Sequence, residues 1–115
     1  MTERTILHIL EDLRKGINSI ERFVDQMTFE TFEKDEKTIR ATERELEIIG
    51  EAVKQLPSSL TQEYSEIPWR AIAGMRDRLI HHYWDTEVEI LWETIKESIP
   101  PLKKIIENII EKEDL

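Results

Sequence analysis

The chain has no cysteine, only three glycines and only four prolines in its 115 residues, and each scarcity excludes something. Without cysteine there is no disulfide framework, no thiolate nucleophile and no zinc–thiolate site, which fits a reducing compartment. Glycine at positions 16, 50 and 74 and proline at 57, 68, 100 and 101 give too little punctuation for a fold of many short strands. No run of about 18 apolar residues is present that could span a bilayer. The opening Met1-Thr2-Glu3-Arg4 leads straight into an amphipathic pattern with no signal-peptide core, so a cytoplasmic protein with no membrane association is expected. There is no glycine-rich phosphate loop, no serine in a nucleophile-elbow context and no internal repeat. The length suits one domain, residues 1–115, with one modest core.

Basic charge is also scarce. Sixteen Lys and Arg face twenty-five Asp and Glu, a net charge of -9, which argues against broad electrostatic binding to nucleic acid. The exception is local. Residues 69–82 hold Arg70, Arg76 and Arg78 with His81 and His82 against only Asp77, so any RNA contact belongs there.

What the chain does have is apolar residues at helical spacing. Ile6, Ile9, Leu10, Leu13, Ile17, Ile20, Val24 and Met27 form one stripe, with His8 on the opposite, solvated face. Thr28 to Phe32 reads as a short connection, with Phe29 and Phe32 covering the end of the core. A second stripe, Ile39, Thr42, Leu46, Ile49, Val53 and Leu56, ends before Pro57, because proline disfavours helical geometry in the preceding residue. Gly50 sits in this stripe and is read as a close-packing position. Residues 57–68 form a connector, and a third, shorter helix starts near Trp69 and runs to His82 or Tyr83.

A fourth helix opens with the capping-box pattern Thr86-Glu87-Val88-Glu89. Its stripe, Val88, Leu91, Trp92, Ile95, Ile99, Leu102, Ile106 and Ile109, keeps phase through Pro100-Pro101, so a kink or short break is expected there. The fold class is therefore all-α, an antiparallel four-helix bundle. Ile48, Ala52 and Ile90 lie off the stripes and are either a second apolar surface for a partner or scattered surface apolars. Trp69, Trp84 and Trp92 fall on helical stripes, where core or interface packing is the default role.

On a helical wheel of residues 69–84, Trp69, Ile72, Met75, Leu79, Ile80 and Tyr83 share one apolar sector, with Arg76 in its middle. A guanidinium there needs a partner. It is either a buried Arg–carboxylate pair or an arginine facing a cleft or dimer interface where an anion binds. Arg70, Gly74, Asp77 and His81 form an adjacent polar face, with Asp77 four residues before His81 and able to orient it. Gly74, nearly superposed on His81, serves either substrate approach or plain helix docking. Arg76 and His81 stand about 140° apart on an ideal helix. Either the helix loosens near its end, or a symmetric dimer completes one site from two chains, the reading favoured here. Asp77, His81 and Asp85 would align on a longer helix, but no zinc signature is present and no metal is assigned.

The string Gly74-Met75-Arg76-Asp77-Arg78-Leu79-Ile80-His81-His82-Tyr83-Trp84-Asp85 contains Arg-x4-His and the longer Arg-x4-His-x-Tyr. With Ile48-Ile49-Gly50-Glu51-Ala52 and Pro68-Trp69-Arg70, it resembles the HepT family of HEPN-type ribonuclease toxins over most of the chain. That resemblance implies a HEPN-like helical homodimer with a composite active site. It implies a metal-independent endoribonuclease in which an RNA 2′-hydroxyl attacks the adjacent phosphate and leaves a 2′,3′-cyclic phosphate. His81 would be general base or acid and Arg76 would hold the phosphate. His82 fits a looser spacing, but only His81 stands two residues before Tyr83. Arg70, Arg78 and His82 are candidate RNA contacts. The resemblance further implies a toxin-antitoxin pair: the partner is a minimal nucleotidyltransferase antitoxin that transfers AMP from ATP onto Tyr83, the toxin itself needing no cofactor. The alternative is a non-catalytic HEPN module that binds a nucleotide or that nucleotidyltransferase.

Overall fold

Apolar side chains spaced by three and four residues leave each segment of this chain one stripe to hide, and helices packed stripe to stripe hide them together. A computed structural model describes the backbone of residues 3–81 and 88–112 and the side chains of residues 5–75 and 88–112. The elements are α1 (Glu3–Phe23), α2 (Phe29–Glu33), α3 (Glu36–Lys54), α4 (Ser58–Glu63), α5 (Trp69–His81), α6 (Val88–Glu93), a π-helical segment (Thr94–Ser98) and α7 (Ile99–Lys112). No strand occurs among the described residues. The chain is all-α. α1 packs on α3 and α7, α3 also packs on α5, and the short α2 touches α3 and α6. No helix among the described residues is long and apolar enough to cross a membrane.

The expected stripes are the buried ones. Ile9, Leu10, Leu13, Ile17, Ile20 and Val24 of the first stripe are buried, as are Leu46, Ile49, Val53 and Leu56 of the second and Leu91, Ile95, Ile99, Leu102, Ile106 and Ile109 of the last. His8 is exposed and Gly50 is buried. Thr42 is fully buried, and its hydroxyl donates to the Thr38 carbonyl at 2.7 Å, so the polar group is satisfied. Of the three residues off the stripes, Ala52 is buried, Ile48 is half-buried and Ile90 is 42% exposed.

Two expected connections contain helices too short to show a period. Thr28 and Thr31 cap α2 reciprocally: the Thr28 hydroxyl accepts from Thr31 N at 3.2 Å and the Thr31 hydroxyl accepts from Thr28 N at 3.0 Å. Phe32 is fully buried, its ring centroid 4.9 Å from that of Trp92, while Phe29 meets Trp92 edge-on at 6.3 Å. α4 starts after Pro57 at φ -67°, and Tyr64 and Ile67 beyond it join the core. Asp35 caps α3 by accepting from Thr38 N at 3.0 Å, and that hydrogen bond holds its carboxyl below the ordinary value. Lys103 of α7 donates to Glu21 of α1 at 2.8 Å, which raises the lysine pKa and ties the two helices at the surface.

The irregularity expected at Pro100-Pro101 lies one turn earlier. α7 runs through both prolines, and the π segment precedes them, with Ile99 N donating to the Thr94 carbonyl five residues back. Proline lacks the N–H of an α-helical bond and its ring collides with the carbonyl four residues before. The wider turn shifts the hydrogen-bond register just where Pro100 and Pro101 would break it. The capping pattern expected at Thr86 to Glu89 begins outside the described residues.

Gly16 marks a close helix contact. A Cβ at this position of α1 would lie 3.0 Å from Ile49 Cγ1 of α3, whose side chain is fully buried. Gly16→Val should therefore destabilise the protein by about 1–3 kcal/mol, the usual range for an overpacked core. Urea unfolding should show Gly16→Val with Ile49→Ala to be less destabilised than the sum of the two single changes; strict additivity would mean that the contact is not limiting. Tyr64 is 6% exposed and its hydroxyl has no hydrogen-bond partner among the described residues. Removing an unsatisfied hydroxyl relieves its desolvation, so Tyr64→Phe should match the wild type or exceed it by about 1 kcal/mol. A loss of stability would reveal an unseen partner.

Candidate active site

Arg70, Arg76, Asp77, Arg78 and His81 all stand on α5, so the position of this helix decides what they reach. Its start is fixed by backbone geometry. The Pro68 carbonyl accepts the first helical bond from Ile72 N at 3.1 Å, and Trp69 N donates to the Ile67 carbonyl at 2.8 Å. The Trp69 indole donates from Nε1 to the Tyr64 carbonyl at 2.9 Å, tying the helix start to the end of α4. Ile72 is 4% exposed, and Trp69, Ala73 and Met75 pack partly buried against the core. These residues anchor α5 along α3, as the apolar sector of the wheel requires. The indole bond is a positioning contact that the sequence pattern does not announce, since the wheel shows Trp69 only as an apolar residue.

Arg70 lies off that buried side. It is exposed and makes no ion pair with any described residue. α5 remains α-helical through His81, so Arg76 and His81 keep ideal helical positions, about 140° apart and about 7.5 Å along the axis. The side chains of Arg76, Asp77, Arg78 and His81, and the whole of His82 and Tyr83, lie outside the described residues.

Two grooves elsewhere offer a poor setting for a phosphate. One of about 360 Å³ lies between α1 and α3, where Asp12, Glu47 and Glu51 outnumber Arg44. The other, about 250 Å³, is lined by Glu21 and Asp25 with Lys96, next to the π segment. Both are net acidic, and neither includes a residue of α5. Among the described residues no group of three or more His, Asp or Glu is placed to hold a metal ion.

Comparison with known proteins extends the motif to the whole chain. Residues 13–109 match the family model described as Ribonuclease HepT-like. The chain belongs to the HepT-like ribonuclease family. Endoribonuclease is the enzyme class that goes with this membership. The HepT-like chain is 48% identical over 100 residues to a protein of Thermococcus cleftensis named "Probable ribonuclease HepT", covering 87% of this chain and 91% of that one. It is 51% identical over 106 residues to "Putative RNase TTE0752" of Caldanaerobacter subterraneus subsp. tengcongensis, covering 92% and 91%. It is 41% identical over 110 residues to "Putative RNase MJ0127" of Methanocaldococcus jannaschii, covering 96% and 91%. No solved structure matches the chain.

The anchoring of the motif helix is open to direct test. Trp69→Phe keeps the aromatic packing of the HepT-like chain but removes the indole donor, leaving the Tyr64 carbonyl only the longer bond from Ile67 N at 3.3 Å, and should cost about 1 kcal/mol of stability. Thermal unfolding indistinguishable from wild type would mean that the indole bond does not hold α5.

Proposed function

We propose that this chain is the ribonuclease toxin of a cytoplasmic toxin-antitoxin pair, a metal-independent endoribonuclease acting as a homodimer. The observation that carries the proposal is the Arg76-x4-His81-x-Tyr83 pattern, with Arg76 and His81 on α5, in a chain of the HepT-like ribonuclease family. The chemistry follows from the residue types. A base removes the proton of an RNA 2′-hydroxyl, and the oxygen attacks the adjacent phosphorus. The P–O bond to the 5′ oxygen breaks, that oxygen takes a proton from an acid, and the products are a 2′,3′-cyclic phosphate and a 5′-hydroxyl.

His81 serves as base or acid, since an imidazole pKa near 6.5 suits both roles. Arg76 holds the scissile phosphate and stabilises the charge that builds on it in the transition state. Their separation of about 140° on one helix favours a site completed by two chains. A twofold axis duplicates the histidine and so supplies a base and an acid together. Asp77 orients His81 from one turn away, and Arg70, Arg78 and His82 are candidate RNA contacts.

The reaction uses only protons and the RNA itself, so it needs no cofactor in the toxin. The partner is a minimal nucleotidyltransferase antitoxin. In its reaction the Tyr83 hydroxyl attacks the α-phosphate of ATP, loses its proton and releases pyrophosphate. The attached AMP adds bulk and negative charge near the phosphate site and excludes RNA by both.

The net charge of -9 favours a second reading, in which the chain is a non-catalytic module that binds a nucleotide or the nucleotidyltransferase. RNA cleavage by the purified protein in excess EDTA separates the two. Wild type should leave cyclic-phosphate ends. His81→Ala and Arg76→Ala, with unchanged circular dichroism and dimer mass, should each lose at least about 100-fold in rate. Equal cleavage by the variants, or none by wild type on a broad RNA panel, would overturn the ribonuclease proposal in favour of the binding module.

A further inference from the structure

Gly74 stands in the interior of α5, where glycine costs a helix about 1 kcal/mol relative to alanine. Two ordinary reasons for accepting that cost are missing. Its φ does not lie in the left-handed region, so the backbone does not require glycine. A Cβ added there would meet no heavy atom within 4 Å among the described residues, so no described neighbour rests against it. Gly16 shows the contrasting case, with Ile49 Cγ1 3.0 Å from the added Cβ. Among the described residues, then, the helix-docking use of Gly74 has no partner.

The direction of the bare position is set by its neighbours. Gly74 lies two residues, about 200°, from the buried Ile72, and four residues, about 40°, from Arg70. It is half-buried, on the side of α5 away from Ile72 and one turn after an exposed guanidinium that makes no ion pair with any described residue. His81 follows seven residues later, at nearly the same angular position and about 10.5 Å further along the axis. An unneutralised cation, bare helix backbone and the proposed catalytic position thus follow one another along one side of the helix.

We propose that Gly74 is a clearance position for substrate: the sugar-phosphate backbone of an RNA strand lies directly against α5 at Gly74, with Arg70 holding a phosphate beside it. The proposal rests on the ribonuclease reading above and adds the path of the strand. Charge complementarity selects RNA as the occupant: a phosphodiester brings a counter-charge to Arg70, which makes no ion pair with any described residue. Gly74 acts here as a positioning residue, through space left empty and not through a group that reacts.

The test compares wild type, Gly74→Ala, Gly74→Leu and Arg70→Ala. Cleavage of short random-sequence single-stranded RNA is followed in EDTA, and binding is followed by fluorescence anisotropy with the same RNA carrying 2′-O-methyl groups, which cannot be cleaved. Gly74→Ala should have an equal or higher Tm and unchanged dimer mass, with KM and the Kd for 2′-O-methyl RNA raised at least about tenfold and kcat changed much less. Gly74→Leu should be worse in the same direction. Arg70→Ala should lower the salt slope of binding by about 0.7, the loss of one phosphate contact on a single strand.

Wild-type affinity and cleavage in Gly74→Ala would overturn the clearance role, as would a lowered Tm. A change in dimer mass would reassign the space to a contact between two copies. If wild type binds the 2′-O-methyl RNA without cutting RNA and Gly74→Ala weakens that binding, the ribonuclease reading fails while the clearance role stands. If wild type neither binds nor cuts, both fall.

Discussion

At Gly16 the backbone of α1 comes close enough to α3 that a single added carbon would press on Ile49, and this contact sets the spacing of everything built on α3. The same helix carries α5 along another side. A wider α1–α3 separation would open the core around Leu13, Ile17 and Leu46, all of them buried to within 1%, and would move the surface against which Ile72 is seated. Interiors packed to crystal-like density have little slack to absorb such a shift. The helix that holds the motif is thus positioned by a contact made without any of its own residues.

The chemistry and the charge of the molecule pull in different directions. An excess of nine negative charges repels RNA at long range, and screening confines that repulsion to about 10 Å at ordinary ionic strength. In the proposed reaction, binding would depend on short-range contacts on α5, where arginine is concentrated, and not on a charged field that gathers RNA from a distance. A partner nucleotidyltransferase faces no such restriction, since protein–protein contact tolerates an acidic surface. The proposed toxin would be selective for RNA segments that fit the helix and indifferent to nucleic acid in general.

Much of the fold was legible in the sequence because it rests on periodicity. The stripes read from the spacing of Leu, Ile and Val in α1, α3 and the run from α6 to α7 supply most of the buried core, and the boundary at Pro57 and the start at Trp69 follow from what proline does to its neighbours. α2 and α4 were not legible: five- and six-residue helices complete too few turns to show a repeat. The π segment left a faint trace. It is too faint to read, since the two successive steps of four from Leu91 through Ile95 to Ile99 recur as Ile9, Leu13 and Ile17 in the regular α1.

The close approach at Gly16 had no sequence signal beyond the glycine itself, and the indole bond of Trp69 had none, because both depend on elements distant in the chain or on a side-chain direction. The candidate site was legible as a string of residue types. Its assembly was not, since two positions about 140° apart on one helix say nothing about which second surface they meet.

The wide turn at Thr94 to Ser98 makes this part of the chain sensitive to length more than to side-chain identity. Loss of one residue there would let the α-helical ladder close, rotating α6 about 100° relative to α7. Trp92 would then swing away from Phe29 and Phe32, which it meets at 6.3 and 4.9 Å. Substitutions in this stretch that keep the residue count have a route to neutrality, whereas a one-residue deletion would uncouple the two halves of the last helical run. The aromatic cluster and the prolines, though they do not touch each other, are bound to one another by a count of residues.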